Sequence, residues 1–246
     1  MFKEIDVLKN KLDSFRPLNP QIIKNLYETF ILDLTYNSNA IEGNTLTLQE
    51  TKIVLEGITI GGKTLREHFE AINHKEALLY IENLIKSDEL LELDIKQIHS
   101  LILKNIDDEN KGKYRDVNVL ISGAKHIPPE SFEVSVLMKD LVDWYNNNSQ
   151  TLHPIELASK LHIDFVKIHP FIDGNGRTAR VLLNLVLLKK GYPFVIIKKE
   201  DRLDYYKALD IAHTTGDYKL FYELIIKCLK KSFERYFFVL GDRSVK

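Results

Sequence analysis

The 246-residue chain has a single cysteine, Cys228, which rules out an internal disulfide and a cysteine-built metal framework. That usage points to a reducing compartment, with the cytoplasm as the default expectation. Glycine and proline are sparse at 11 and 7 residues, too few for a disordered or collagen-like chain. No stretch approaches the roughly 18 consecutive apolar residues of a membrane span. Met1 to Phe15 mixes Lys3, Glu4, Asp6, Lys9 and Lys11 among its apolar residues, so it lacks the continuous hydrophobic region of a signal peptide. No membrane partner is expected. An excess of one charge is missing too: 34 Lys plus Arg against 35 Asp plus Glu leave −1, which excludes a dominantly basic nucleic-acid binder. Repeats and low-complexity tracts are likewise absent.

What the chain does have is apolar side chain, 44% of residues, enough for a sizeable core. Its periodicity is helical. Ile22, Ile23, Leu26, Tyr27, Phe30, Ile31 and Leu34 fall three and four apart after Asn19-Pro20, in a helix that runs on through Ser38 towards Ile41 and stops at Gly43. Thr47 with Glu50, and Thr64 with Glu67, have the spacing of capping boxes that open two more helices. Further helices are expected at about 65–86, 95–104, 132–146, 154–168, 176–190, 201–213 and 218–236. Two segments differ. Val117 to Ile121 alternates towards Ser122-Gly123 and ends at His126-Ile127-Pro128-Pro129, which predicts a short β-hairpin; Val195-Ile196-Ile197 reads as a buried strand or an extended connector. The fold class is mostly α with one short β-hairpin.

Residues 169 to 180, His-Pro-Phe-Ile-Asp-Gly-Asn-Gly-Arg-Thr-Ala-Arg, lie between two strongly helical segments. Gly174 and Gly176 let the backbone turn its N–H groups inward, and the following helix adds the positive end of its dipole, making an anion nest suited to phosphate. Arg177 and Arg180, three apart, can reach one polyphosphate with paired donors. Asp173 is placed to hold Mg²⁺ by hard oxygen chemistry. His169, with an ordinary pKa of about 6.5, is able to accept a hydroxyl proton. A lone Gly-Asn-Gly is more often a plain helix–helix turn.

The full pattern resembles the motif of the Fic family, His-x-Phe-x-Asp/Glu-Gly-Asn-Gly-Arg-x-x-Arg, at every fixed position. Eight fixed types at about one in twenty each leave on the order of 10⁻⁸ chance matches in a chain of this length. Gly112-Lys113-Tyr114-Arg115 with the 117–129 hairpin is similar to the family's target-docking flap, and Gly191-Tyr192-Pro193 and Asp204-Tyr205-Tyr206 to segments beyond its active site. The resemblance implies a Fic-type helical bundle and transfer of AMP from ATP to a Ser, Thr or Tyr hydroxyl of a protein, including self-modification, with release of pyrophosphate. It implies His169 as general base, Asp173 as the Mg²⁺ ligand, and Asn175, Arg177 and Arg180 at successive phosphates of ATP. Gly174 and Gly176 complete the ATP nest, and Tyr205 and Tyr206 border the nucleoside. His213 stands where the family often has Asn. Lys125 and His126 would lie where the flap approaches nucleotide or target. Related proteins frequently form homodimers.

Ser38-Asn39-Ala40-Ile41-Glu42-Gly43-Asn44 resembles the family's inhibitory pattern, Ser/Thr-x-x-x-Glu-Gly/Asn. Ser38 and Glu42 are four apart, on one helical face. On its own such a pair is common; beside the motif, the implied role is a carboxylate that competes with the γ-phosphate for Arg180. Related enzymes also remove AMP with the corresponding glutamate, so a hydrolytic role for Glu42 stays open, as do a non-catalytic nucleotide-binding module and a different transferred group. His153, His162 and His169 match no metal-ligand spacing. The expected organisation is a regulatory helical segment over 1–85, a catalytic core over 86–236 and a short tail over 237–246.

Overall fold

A computed structural model describes residues 1–87 and 89–242. Among them the chain forms α1 (Lys3–Ser14), α2 (Pro20–Ile41), α3 (Leu48–Leu55), α4 (Leu65–Leu84), α5 (Glu92–Leu103), α6 (Val134–Asn148), α7 (Pro154–Ile168), α8 (Asn175–Lys189), α9 (Arg202–Thr215) and α10 (Lys219–Val239). α8 is apolar on nearly every side, with Ala179, Val181, Leu182, Leu183, Leu185 and Leu187 fully buried. A helix of that kind has no solvent face and belongs at the centre. It packs most extensively on α7, to which the motif loop joins it, and is enclosed by α5, α4 and α2; α1 lies on α10 at the far side. Leu26, Phe30, Leu34 and Ile41 of α2 share one hydrophobic core with α7 and α8. α3 lies over α2 and α4 and closes a small second cluster of Leu46, Val54 and Ala71.

Both capping boxes form. The Glu50 N–H donates to Thr47 Oγ1 at 3.2 Å and the Thr47 N–H to Glu50 Oε2 at 2.7 Å, and Thr64 and Glu67 repeat the exchange at 3.2 and 2.8 Å. α7 starts on Pro154, with His153 Nδ1 accepting the Ile155 N–H at 3.2 Å.

Three features depart from expectation. α1 was not anticipated, although Ile5 and Leu12, seven apart, are the buried face that seats it. The β-hairpin over 117–129 is absent, and no described residue is in a strand. The two arms do not pair with each other, because side chains and distant groups take the hydrogen bonds a ladder would use. Arg115 donates to the carbonyls of Val117 and Pro129 at the two ends (2.9 and 2.6 Å), Asn118 Oδ1 accepts the Ser131 N–H, and the Lys125 N–H goes to Asp210. Pro128 and Pro129 have no N–H to offer a ladder. Third, α10 runs on to Val239 with Phe237 buried, so less of 237–246 is tail than expected; residues 243–246 of that segment lie outside the described residues. Val195 to Ile197 is a buried connector, with Val195 N–H and carbonyl both bonded to the Asn184 amide (2.7 and 3.1 Å). Among the described residues no helix is long and apolar enough to cross a membrane.

Candidate active site

His169 ends α7 in the left-handed backbone region, φ 51°, an unusual place for a residue with a side chain. Arg115 holds it there: its backbone N–H donates to the Pro170 carbonyl at 2.9 Å and its Nε to the His169 carbonyl at 2.9 Å. Burial lowers the His169 pKa to about 4, and the Arg115 charge works in the same direction. The imidazole is therefore neutral at pH 7, the form that can accept a proton.

The loop from His169 to Gly174 is closed by Asn175, whose amide oxygen accepts the Phe171 N–H at 3.0 Å and whose NH₂ donates to the Phe171 carbonyl at 2.7 Å. Both polar ends of the side chain that the resemblance places at a phosphate are thus engaged within the loop. Gly174 takes the left-handed conformation, φ +77°, and starts α8. Gly176 does not: it is an ordinary helical residue, and what it supplies is space rather than backbone freedom. A Cβ there would overlap Glu42 Oε1 and lie 3.1 Å from Arg180 Nη1.

Glu42 therefore sits against the first turn of α8, where a helix presents N–H groups without intrahelical acceptors. Its Oε1 accepts from Arg180 Nη2 at 2.7 Å. Arg180 is buried, and Ser38 holds it from behind, the hydroxyl accepting from Nε at 2.9 Å and the carbonyl from Nη2 at 2.8 Å. Burial by itself would lower the Arg180 pKa, and Glu42 reverses that, raising it overall. Among the described residues Arg180 Nη1 has no acceptor. Ser38 in the last turn of α2 and Glu42 at its C-cap, four apart, thus converge on one guanidinium, as their spacing suggests.

Asp173 lies at the other edge of the nest. Its Oδ1 accepts the Gly174 N–H at 2.6 Å and Arg177 Nη2 at 3.2 Å, and its Oδ2 accepts from Arg66 Nη2 at 2.6 Å. Burial works to raise its pKa, but Arg177, the Gly174 N–H and Arg66 outweigh it, and the carboxyl is held below the usual range. Arg177 also lies 3.3 Å from Glu70 on α4. Among the described residues no three His, Cys, Asp or Glu side chains gather as a self-sufficient metal site.

A family model for the Fic/DOC family matches residues 89–187. Over 98% of both chains, the structure aligns with a Fic-domain-containing signaling protein from Bacteroides thetaiotaomicron, at 34% identity and a TM-score of 0.89. The chain belongs to the Fic/DOC family. A second solved structure, Fic-1 (residues 134–508) from C. elegans, is 34% identical with a TM-score of 0.89 and covers 99% of this chain and 72% of that one. Among curated relatives, the protein adenylyltransferase Fic of Nematostella vectensis is 37% identical over 96% of this chain, and that of Drosophila willistoni 36% over 97%. The chain spans about half the length of these relatives, 55% and 48%.

Residues drawn from the wider family resemblance, outside the motif, are placed less directly. Tyr205, expected at the nucleoside, is 1% exposed and lies behind Arg180, with its hydroxyl 2.9 Å from His162 Nε2 and the Arg180 guanidinium 5.9 Å from its ring. Tyr206 is 38% exposed and donates to the Ile41 carbonyl at 3.4 Å, next to Glu42. The Lys125 backbone is tied to Asp210, and His126 Nε2 lies 2.9 Å from the Lys167 carbonyl, its ring 5.0 Å from that of His213. Burial lowers the His213 pKa to about 4. Arg66 and Glu70 went unrecognised in the sequence. Their helix was legible from its capping box, but nothing local shows that its first two turns face Asp173 and Arg177. His99, also missed, lies on the apolar face of α5 with Ile95, Ile98 and Ile102.

Proposed function

We propose that this chain transfers AMP from ATP to a hydroxyl side chain of a target protein, with release of pyrophosphate, and that Glu42 restrains the reaction. The observation that carries the reading is the Glu42 carboxylate on Arg180 at the N-terminus of α8, a negative group where the motif would place a terminal phosphate. The curated relatives are protein adenylyltransferases, which supports the reading, and Arg177 and Arg180 both rise from the helix that begins at the motif loop.

In this reading His169 accepts the proton of the target hydroxyl, neutral imidazole being its state at pH 7. The first turn of α8 and Arg177 orient the phosphates, and Arg180 takes the terminal phosphate once Glu42 withdraws. Phosphoryl-type transfer depends mainly on alignment and charge stabilisation, which these groups supply. Asp173 fits Mg²⁺: it is an ionised carboxylate that already gathers two cationic side chains, and Mg²⁺ is commonly held by one or two carboxylates together with substrate phosphates. Bound there, Mg²⁺ would neutralise phosphate charge.

Mass spectrometry after incubation with ATP and Mg²⁺ tests the reading. Glu42→Gly should gain adenylyl groups by self-modification faster than wild type. Phosphate addition, or no addition in either protein, would overturn it. A hydrolytic role is favoured by one detail: the Glu42 side chain is 32% exposed and Arg180 occupies only one of its oxygens, so it can orient a water at the nest. Removal of AMP from a modified target that survives Glu42→Gly rules that role out.

A further inference from the structure

His99 is fully buried on α5 and touches two segments at once. Its Nδ1 accepts the Gly112 N–H at 2.9 Å, so the ring proton is on Nε2, which donates to the Asp173 carbonyl at 2.9 Å. The imidazole lies flat on Phe171, with centroids 3.5 Å apart and planes 2° apart. Its surroundings leave room for it and little more. A Cβ on Gly174 would come within 3.3 Å of its Cδ2 and Nε2; on Gly112, at φ +71°, a Cβ would come within 3.1 Å of the Lys96 carbonyl oxygen on α5. Three residues beyond Gly112, Arg115 bonds the carbonyls of His169 and Pro170. Residues 112–115 are therefore fastened to both ends of the motif loop, at 169–170 by Arg115 and at 173–174 through His99.

The peptide between Asp173 and Gly174 is planar, with its carbonyl and N–H pointing opposite ways. His99 holds the carbonyl on one side, and the N–H on the other donates to the Asp173 carboxylate at 2.6 Å. Loss of the His99 bond frees this peptide to rotate and the carboxylate to turn away from the nest. We infer that His99 is a positioning residue that sets the Asp173 carboxylate for the metal-bound nucleotide and ties it to the segment leading to the 117–130 loop. The inference rests on the nucleotide-transfer reading above.

The test measures ATP affinity by calorimetry in the Glu42→Gly background, with Mg²⁺ and with a chelator. His99→Phe keeps the stacked ring and removes both hydrogen bonds, whereas His99→Gln offers an amide oxygen to Gly112 and an NH₂ to Asp173. Groups that orient a metal ligand typically contribute about 10- to 100-fold in metal affinity. The Phe variant should therefore lose about 10-fold or more of the Mg²⁺-dependent gain in ATP affinity, with metal-free affinity changed less than about threefold, and the Gln variant should recover most of the loss. If the Phe variant does not fold, His99→Asn, which reaches Gly112 but falls short of Asp173, must show the same loss. A folded variant that keeps the full Mg²⁺-dependent gain overturns the inference, as does equal weakening with and without Mg²⁺. A Glu42→Gly parent that binds no ATP at all removes the proposed function, and the role of His99 with it.

Discussion

Arg177 and Arg180 stand one turn apart on α8 and are buried alike, 3% and 4% exposed, yet different regions of the molecule hold them. Arg180 reaches the end of α2, where Ser38 offers two neutral acceptors and Glu42 the charge. Arg177 reaches the start of α4 and its own loop, where both partners are carboxylates, Glu70 and Asp173, and Arg66 bridges the same two groups. On the proposed function, the difference would separate a switch from a support. If Glu42 were to leave as proposed, the two Ser38 acceptors would still hold Arg180, and a charge vacancy would open with the guanidinium in place. Arg177 sits in a ring of alternating charge in which no single departure exposes it.

The largest effect tests whether the proposed transfer runs through His169 once Glu42 is removed. His169→Ala in the Glu42→Gly background should lower initial rates of AMP transfer about 10²- to 10⁴-fold, the usual contribution of a general base. Glu42→Gly itself should raise the transfer rate at least about tenfold over wild type, because only then is the charge of Arg180 available to phosphate; equal rates would break the distinction between the two arginines. Ser38→Ala removes a neutral acceptor from a buried cation and should cost about 1.5–3 kcal/mol of stability in urea unfolding. A negligible cost would mean that the Ser38 hydroxyl adds nothing to what the Ser38 carbonyl and Glu42 supply.

Protons sharpen the Arg180 side of the comparison. His74 and His162, close enough to feel its charge, have their pKa values lowered from 6.5 to about 3, by burial first and then by cationic neighbours. The unfolded chain therefore takes up protons below about pH 6.5 that the folded protein refuses. Stability is fully present above that pH and should fall as the solution is acidified towards pH 3, by up to about 1.4 kcal/mol per pH unit for each imidazole. Urea midpoints at pH 7.5, 6 and 5 read the slope; a flat profile contradicts neutral burial. The smallest effect belongs to the support: Glu70→Gln should change ATP affinity in the Glu42→Gly background by less than about threefold, since Asp173 still holds Arg177.

Much of the architecture was legible because helical signals are local. The capping boxes at Thr47 and Thr64 appear where their spacing puts them, and α7 spans the expected 154–168. The 117–129 segment misled for the same reason: alternation is local, but its hydrogen bonds go to Arg115, Asn118 and Asp210 instead of across a hairpin. At the site, Ser38, Glu42 and Arg180 were readable from a motif and a four-residue spacing. Arg66, Glu70 and His99 were not, because a helix's register does not say which distant loop its face will meet.

The sequence by itself determined that the chain is mostly helical and carries the full residue set of the Fic motif, since period, caps and motif spacing are properties of neighbours along the chain. Only the tertiary structure decided that Gly176 provides space for Glu42 rather than backbone freedom, that Tyr205 backs Arg180, and that α4 and α5 each bring a polar side chain to Asp173. Those are contacts across 25 to 134 positions of the chain, made where a close-packed interior leaves each charge its partner.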